Sequence, residues 1–272
     1  MESIAQVMRG MRHGVLAKLP TPVYSWARET ALLTLELLTF GGGRKVKVAG
    51  IYPLQVEWSR SSVDFNTWEA EFIRDFGKAL KEPKIVFDIG ASIGEWSALA
   101  ATLVGSENVH VFEPNLASWK HIKKVFSLNK LNTPAGSFPG FAANSDSFSH
   151  EVLTNVSSGE WPPEVQGIAD FETLEQPKNL PLIKLDTYAD KMGVVPDVIK
   201  IDVEGAEGEV LRGSQNLLEN ARPIVFLSLH PWALKDFGDS KSELLSWIEQ
   251  RGYNCSLLAT AHEEHWLCLP KE

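Results

Sequence analysis

The sequence predicts an α/β domain built on a mostly parallel sheet with helices on both faces, and three observations carry that prediction. Two short apolar runs, Ile85-Val86-Phe87-Asp88-Ile89 and Val109-His110-Val111-Phe112, flank a glycine turn and a stretch of helical character, the order of a βαβ unit. Val198-Ile199-Lys200-Ile201 and Ile224-Val225-Phe226-Leu227-Ser228-Leu229 are further apolar runs, read as central strands buried on both faces. Strand and helix alternate through Asn129, which implies right-handed crossovers.

Taken in order, Ala31–Phe40 is an apolar helical stretch broken by Glu36 and too short to span a membrane. Gly41-Gly42-Gly43 interrupts it, and strand patterns near Lys45–Ala49 and Leu54–Trp58 predict a small hairpin flap. Asn66 to Leu80 reads as a helix with Trp68, Phe72, Ile73, Phe76 and Leu80 on one face, ended by Pro83. The first core strand follows, then a helix from about Glu95 to Val104. Phe138 to Pro181 is rich in Pro, Gly, Ser and Asn, with weak strand signals such as Glu151–Asn155, and is expected to hold an edge hairpin and a mobile loop over the site. Asn254–Leu258 and His265–Leu269 are expected to pair and close the sheet antiparallel. The domain expectation is therefore 1–83 for amino-terminal helices and flap, and 84–272 for the catalytic domain.

The 272 residues are 44% hydrophobic, enough for a full core. A formal charge of −9 disfavours a nucleic-acid surface, because phosphate neutralisation needs clustered cations. Lys120, Lys123 and Lys124 have the spacing of a solvated helix face. The two cysteines, Cys255 and Cys268, lack metal-type spacing, so neither a disulfide framework nor a zinc site is expected, and a reducing, cytoplasmic setting is the default. Arg9, Arg12 and Lys18 precede the apolar helix. That helix is expected to pack on the domain or in a homodimer, with contact to an anionic membrane the lesser expectation.

The turn Asp88-Ile89-Gly90-Ala91-Ser92-Ile93-Gly94 specifies a ligand. Gly90 and Gly94 permit a tight turn and a close backbone approach. Asp88 stands where a dinucleotide fingerprint has its first glycine, and a carboxylate there repels a pyrophosphate but suits an ammonium or sulfonium, as in S-adenosylmethionine. Glu113 follows Gly94 by nineteen positions; an acid at about 20 residues in such units takes the ribose hydroxyls. Other acids lie just past a later strand, in Asp202-Val203-Glu204-Gly205-Ala206-Glu207, where open α/β sheets gather substrate.

With those residues in view, the chain resembles the FkbM family of S-adenosylmethionine-dependent methyltransferases. The matching pieces are Asp-Ile-Gly-Ala-Ser-Ile-Gly (88–94), Phe-Glu-Pro-Asn (112–115), Leu-Asp-Thr-Tyr (185–188), Ile-Lys-Ile-Asp-Val-Glu-Gly-Ala-Glu (199–207), Val-Leu-Arg-Gly (210–213) and Ser-Leu-His (228–230). Ser92 stands where the family commonly has Asn, and Ser228 where it often has an acid. The resemblance implies a Rossmann-like class I fold with a seven-stranded sheet, and O-methylation of a hydroxyl on a sugar, glycan or other small molecule.

Methyl transfer is an in-line displacement, and an alcohol is a poor nucleophile until its proton leaves. His230 is the first candidate base, since it follows a core strand and titrates near neutral pH. Asp202 is the alternative base, or an orienting group, and Glu204 and Glu207 either meet substrate or serve the helix that starts there. The cofactor set is Asp88, Gly90, Ala91, Ser92, Gly94, Glu113, Pro114, Asn115 and Asp202, with Glu69 approaching from the flap and Ala143 and Asn144 beside the adenine. Asp186 is a candidate neighbour of Lys200, and no metal is expected. The alternatives are a non-catalytic cofactor-binding partner of an active methyltransferase, or an NAD-dependent oxidoreductase.

Overall fold

The computed structural model describes residues 30, 34, 38, 39, 41–60, 62–81, 84–162 and 180–272. The expected amino-terminal helix, the Pro83 expected to end the later helix, and the middle of the Phe138–Pro181 segment lie outside these residues. The chain divides into two units, Met1–Ala70 and Glu71–Glu272.

In the first unit, β1 (Arg44–Val48) and β2 (Tyr52–Val56) form an antiparallel hairpin. Its turn places Ala49 and Gly50 at positive φ, the twist that a short hairpin connection demands. The Arg44 guanidinium donates to the carbonyls of Arg60 and Val63, tying the following turn to the hairpin.

The second unit is built on seven strands: β3 (Val86–Ile89), β4 (Val109–Phe112), β5 (Gly136–Phe138), β8 (Val198–Ile201), β9 (Ile224–Leu229), β10 (Tyr253–Thr260) and β11 (Glu264–Pro270). They lie in the order β5-β4-β3-β8-β9-β11-β10. The first five are parallel, and β11 inserts antiparallel between β9 and β10. This is the Rossmann-like class I arrangement. Strand order reverses between β3 and β8, so the crevice at their carboxyl ends is where a ligand belongs.

Helix α1 (Ala70–Ala79) buries Phe72, Ile73 and Phe76. Phe72 and Phe76 meet Trp96 and Phe226 edge-on, with ring centroids 5.0 to 5.4 Å apart, a favoured aromatic geometry. The helix starts later than the expected Asn66, because residues up to Glu69 form turns and Glu69 itself has φ 44°. Helix α2 (Glu95–Val104) follows β3 over the expected span, and α3 (Trp119–Leu128) follows β4. The opposite sheet face packs a second core that includes Ile199 and Leu227 and in which the rings of Phe87, Phe112 and Phe138 meet Tyr188 of α5 (Leu185–Met192).

Three expectations are corrected here. Glu151–Asn155 is not a strand; it lies within α4 (His150–Ser157), whose Leu153 and Val156 are buried at spacing three. The local edge pairing is instead parallel, between β6 (Phe141–Ala142) and β7 (Leu182–Ile183). Cys255 and Cys268 face each other across β10 and β11 and are joined in a disulfide; pairing of these two strands supplies the proximity that sequence spacing alone concealed. Asp186 does not approach Lys200, since both its oxygens accept backbone N–H groups, from Asn216 and Leu217. Among the described residues no helix is long and apolar enough to cross a membrane.

Candidate active site

Two loops meet at the reversal point. The loop after β3 turns through Gly90 (φ 81°), Ser92 (φ 53°) and Gly94 (φ 84°). The amides of Gly90 and Ala91 both donate to the Phe112 carbonyl at the end of β4. The loop after β8 begins when the Asp202 N–H donates to the Ile89 carbonyl at 3.0 Å. The two loops touch at Gly90, where a Cβ would sit 1.8 Å from the Asp202 carbonyl oxygen. Gly90 therefore serves loop-to-loop contact, and Gly94 lets α2 close on α3, with Ile122 about 3 Å from its absent Cβ.

Glu113 is 3% exposed, and each of its carboxylate oxygens accepts one backbone N–H, from Ser92 at 2.6 Å and Asn115 at 2.8 Å. Asn115 in turn caps the following turn by accepting from Ala117, and Pro114 sits between the two. Burial pushes the Glu113 carboxyl up to about 7, against the opposing pull of its backbone hydrogen bonds. Each oxygen keeps a second lone pair for a hydroxyl donor. The two acceptor oxygens thus suit the hydroxyls of a ribose, the part of S-adenosylmethionine assigned to Glu113 from sequence.

Asp88 is placed differently from the expectation. It is 1% exposed, accepts a short hydrogen bond from the Ser97 hydroxyl, and lies 3.3 Å from the Lys200 ammonium. Lys200 is itself 1% exposed, stands 3.4 Å from Asp202 and lies 5.5 Å from the Trp96 ring centre. The β8 run is therefore not wholly apolar: a lysine is buried in it because two carboxylates and an aromatic face compensate its charge. Of the two acids, Asp202 is the one turned outward, with its side chain 25% exposed.

His230 follows β9 and is 2% exposed. Its Nδ1 is 2.7 Å from Oε1 of Glu207, and its Nε2 is 3.7 Å from both Asp202 Oδ1 and Glu204 Oε2. Glu207 opens α6 (Glu207–Arg212), is fully buried, and also accepts from the Gly205 N–H. A carboxylate on Nδ1 selects the tautomer that leaves Nε2 as proton acceptor (an assignment made from the hydrogen-bond partners). Burial by itself lowers the His230 pKa, but the hydrogen bond and charge of Glu207, aided by Asp202 and Glu204, outweigh it and hold the imidazole above its ordinary value.

The structure thus brings Gly90, Ala91, Ser92, Gly94, Glu113 and Asn115 into one group and His230 and Glu204 into another, with Asp202 in contact with both groups. Ala143 lies against Gly213 at the end of α6, with its N–H on the Ile183 carbonyl, and Asn144 is exposed. Glu69 belongs to the first unit. Sequence reasoning assigned Glu207 only to substrate or helix start; no spacing rule links positions 207 and 230. Ser228 points its hydroxyl at Nδ1 of His265 in β11, 3.0 Å away, so the position where the family often has an acid serves strand packing here.

Residues 88–255 match the family described as the methyltransferase FkbM domain. The chain is 26% identical over 167 residues to the hexuronic acid methyltransferase AglP of Haloferax volcanii, covering 60% of this chain and 62% of that protein. Among solved structures, it is similar to a methyltransferase FkbM from Methylobacillus flagellatus KT, at 18% identity and a TM-score of 0.47, over 68% of this chain and 43% of that one. A precorrin-6y C5,15-methyltransferase from Geobacter metallireducens GS-15 matches at 12% identity and a TM-score of 0.41, over 75% of this chain and 88% of that one. The chain thus spans less than two thirds of the length of AglP and of the Methylobacillus protein. With the family match covering well over half of its 272 residues, the chain belongs to the FkbM methyltransferase family.

Proposed function

We propose that the protein transfers a methyl group from S-adenosylmethionine to a hydroxyl of a sugar or glycan. One observation carries the reading: a histidine tethered by a fully buried glutamate presents Nε2 at the crevice, beside two acids and across from the loop that Glu113 holds. AglP, a relative named for methylating a hexuronic acid, supports a sugar acceptor.

When bound, the cofactor supplies an electrophilic methyl group on a sulfonium cation. Glu113 takes the ribose hydroxyls, and the Gly90–Gly94 backbone lines the same side, with its Gly90, Ala91, Ser92 and Gly94 amides already donating within the protein. Asp202, anchored to Lys200 through Oδ2, is the acid exposed enough to meet the methionine ammonium; Asp88 holds Lys200 from beneath. On the other side, His230 Nε2 accepts the acceptor hydroxyl's proton, and Glu207 steadies the ring while it becomes cationic. A base so placed contributes on the order of 10²- to 10⁴-fold. Asp202 is the poorer base candidate because one of its oxygens is committed to the lysine.

An NAD-dependent oxidoreductase is not favoured, since the chain lacks the Gly-x-Gly-x-x-Gly turn that seats a pyrophosphate. A non-catalytic partner role is tested by transfer of labelled methyl from S-adenosylmethionine to a panel of methyl glycosides. Product from wild type and at least a hundredfold less from His230→Ala, with unchanged binding of S-adenosylhomocysteine, supports the proposal. Tight binding with no product, or full activity in His230→Ala, contradicts it.

A further inference from the structure

The approach to His230 carries an aromatic feature that the reaction above does not use. Trp232 is half-exposed, and its ring stands edge-on to His230 with centroids 5.8 Å apart. On its other side lies His262, at 5.4 Å and 44°, exposed in the turn between β10 and β11. A single exposed tryptophan is ordinary. This one is held in place beside the base.

The chain from His230 to Leu234 is a closed turn, in which the Ala233 and Leu234 amides donate to the His230 carbonyl at 2.8 and 3.1 Å. Ala233 and Leu234 are buried, and Ala233 lies so close to Gly205 that a Cβ there would come within 2.7 Å. Trp232 therefore cannot fold inward with its neighbours, and its exposed face is preorganised at the crevice mouth. Binding to a face already fixed spares the ordering entropy that a mobile side chain would lose.

We propose that Trp232, flanked by His262, is the acceptor subsite of this same methyltransferase centre and seats a neutral hexopyranose ring; the inference rests on the function proposed above. A pyranose presents a patch of C–H groups on its face and hydroxyls around its rim. The indole covers the apolar patch, which leaves a rim hydroxyl to meet His230 Nε2. Neutrality follows from the charges around the mouth. Asp202 and Glu204 lie 3.7 Å from Nε2, with side chains 25% and 73% exposed. Glu263, next to His262, is 17% exposed and paired with His265. Asp202 and Glu204 beside Nε2, with Glu263 next to His262, repel a further carboxylate, so a hexuronate is disfavoured. The acceptor class thus differs in charge from the one for which AglP is named.

The test uses the full chain with tryptophan indoles labelled with ¹⁵N and saturated with S-adenosylhomocysteine. The Trp232 signal is assigned from Trp232→Phe. Methyl glycosides of glucose, galactose and mannose are titrated beside the matching uronic acids. At least one neutral glycoside should shift the Trp232 signal and bind about tenfold or more tighter than its uronate, a difference of about 1.4 kcal/mol. Trp232→Ala should weaken that glycoside about tenfold while S-adenosylhomocysteine binds as before, and Trp232→Phe should lose less. Glu204→Gln should narrow the gap between neutral and acidic sugars. Retained S-adenosylhomocysteine binding with an unmoved Trp232 signal, equal affinity for the uronates, or undiminished glycoside binding in Trp232→Ala overturns the subsite alone. Failure of wild type to bind S-adenosylhomocysteine overturns the methyltransferase reading and the subsite with it.

Discussion

Replacing Glu207 by Gln removes one charge from a fully buried position while preserving shape. In the native protein Oε1 accepts both His230 Nδ1–H, at 2.7 Å, and the Gly205 N–H, at 3.0 Å. Oε2 is buried and has no hydrogen-bond partner. A glutamine that keeps its oxygen toward His230 puts an NH₂ group where no acceptor waits, at a cost of about 1–3 kcal/mol. A glutamine that flips points NH₂ at Nδ1 and forces the proton onto Nε2, the atom that must be empty to act as base. Hydrogen bonds to charged partners exceed neutral ones by about 1–1.5 kcal/mol, so the imidazolium should lose about one pKa unit. The native His230 value is raised, hence its contribution to stability is full below its unfolded value and disappears as pH rises through the folded value. The stability gap between wild type and variant should therefore be widest in acid and narrow as pH climbs. The pH profile of methyl transfer should show an acid limb moved about one unit lower and a plateau reduced at least about tenfold, because the carboxylate that orients the ring and stabilises the imidazolium is lost. An unchanged limb with an unchanged plateau would refute the coupling of Glu207 to His230.

The remaining predictions concern the cofactor side and the frame. Glu113 has its folded value pushed up to about 7 from an ordinary 4.5; the folded protein then holds a proton the unfolded chain has released, so stability falls between these values as pH rises. Ribose hydroxyls donate best to the carboxylate, so S-adenosylhomocysteine should bind more tightly as pH rises through about 7, an effect that Glu113→Gln should flatten in calorimetry. Lys200→Met strips Asp88 and Asp202 of their shared partner and should cost about 3–5 kcal/mol in denaturant unfolding; a loss below about 1 kcal/mol would deny the lysine its compensating role. Gly90→Ala drives a Cβ into the Asp202 carbonyl and should lower both the melting temperature and cofactor affinity. The native protein should titrate no free thiol, given the Cys255–Cys268 bond, and reduction should expose two.

What the sequence disclosed and concealed follows from the range of the forces involved. The β3 turn, α2 and β4 were legible because apolar runs, glycines and an acid at fixed offset are local signals. The antiparallel end of the sheet was legible from alternation. Lys200 was hidden by its apolar flanks: only the register that sets Asp88 beside it shows why a cation is buried there. Asp88 was assigned to an ammonium on type and position, and the ammonium that it meets belongs to the protein. Glu207 and Trp232 gained their places from the approach of the β8 and β9 loops, a tertiary event without a local mark. The strand signal at Glu151–Asn155 failed because helical burial of Leu153 and Val156 outweighed the β-propensity of the segment.

Calorimetric titration of the purified chain with S-adenosylhomocysteine and with NAD, for wild type, Glu113→Ala and His230→Ala, tests the central claim most directly. The account predicts that wild type and His230→Ala bind S-adenosylhomocysteine alike, that Glu113→Ala binds it at least tenfold more weakly, and that NAD gives no heat. Binding of NAD alone, or S-adenosylhomocysteine binding that is indifferent to Glu113, would contradict it.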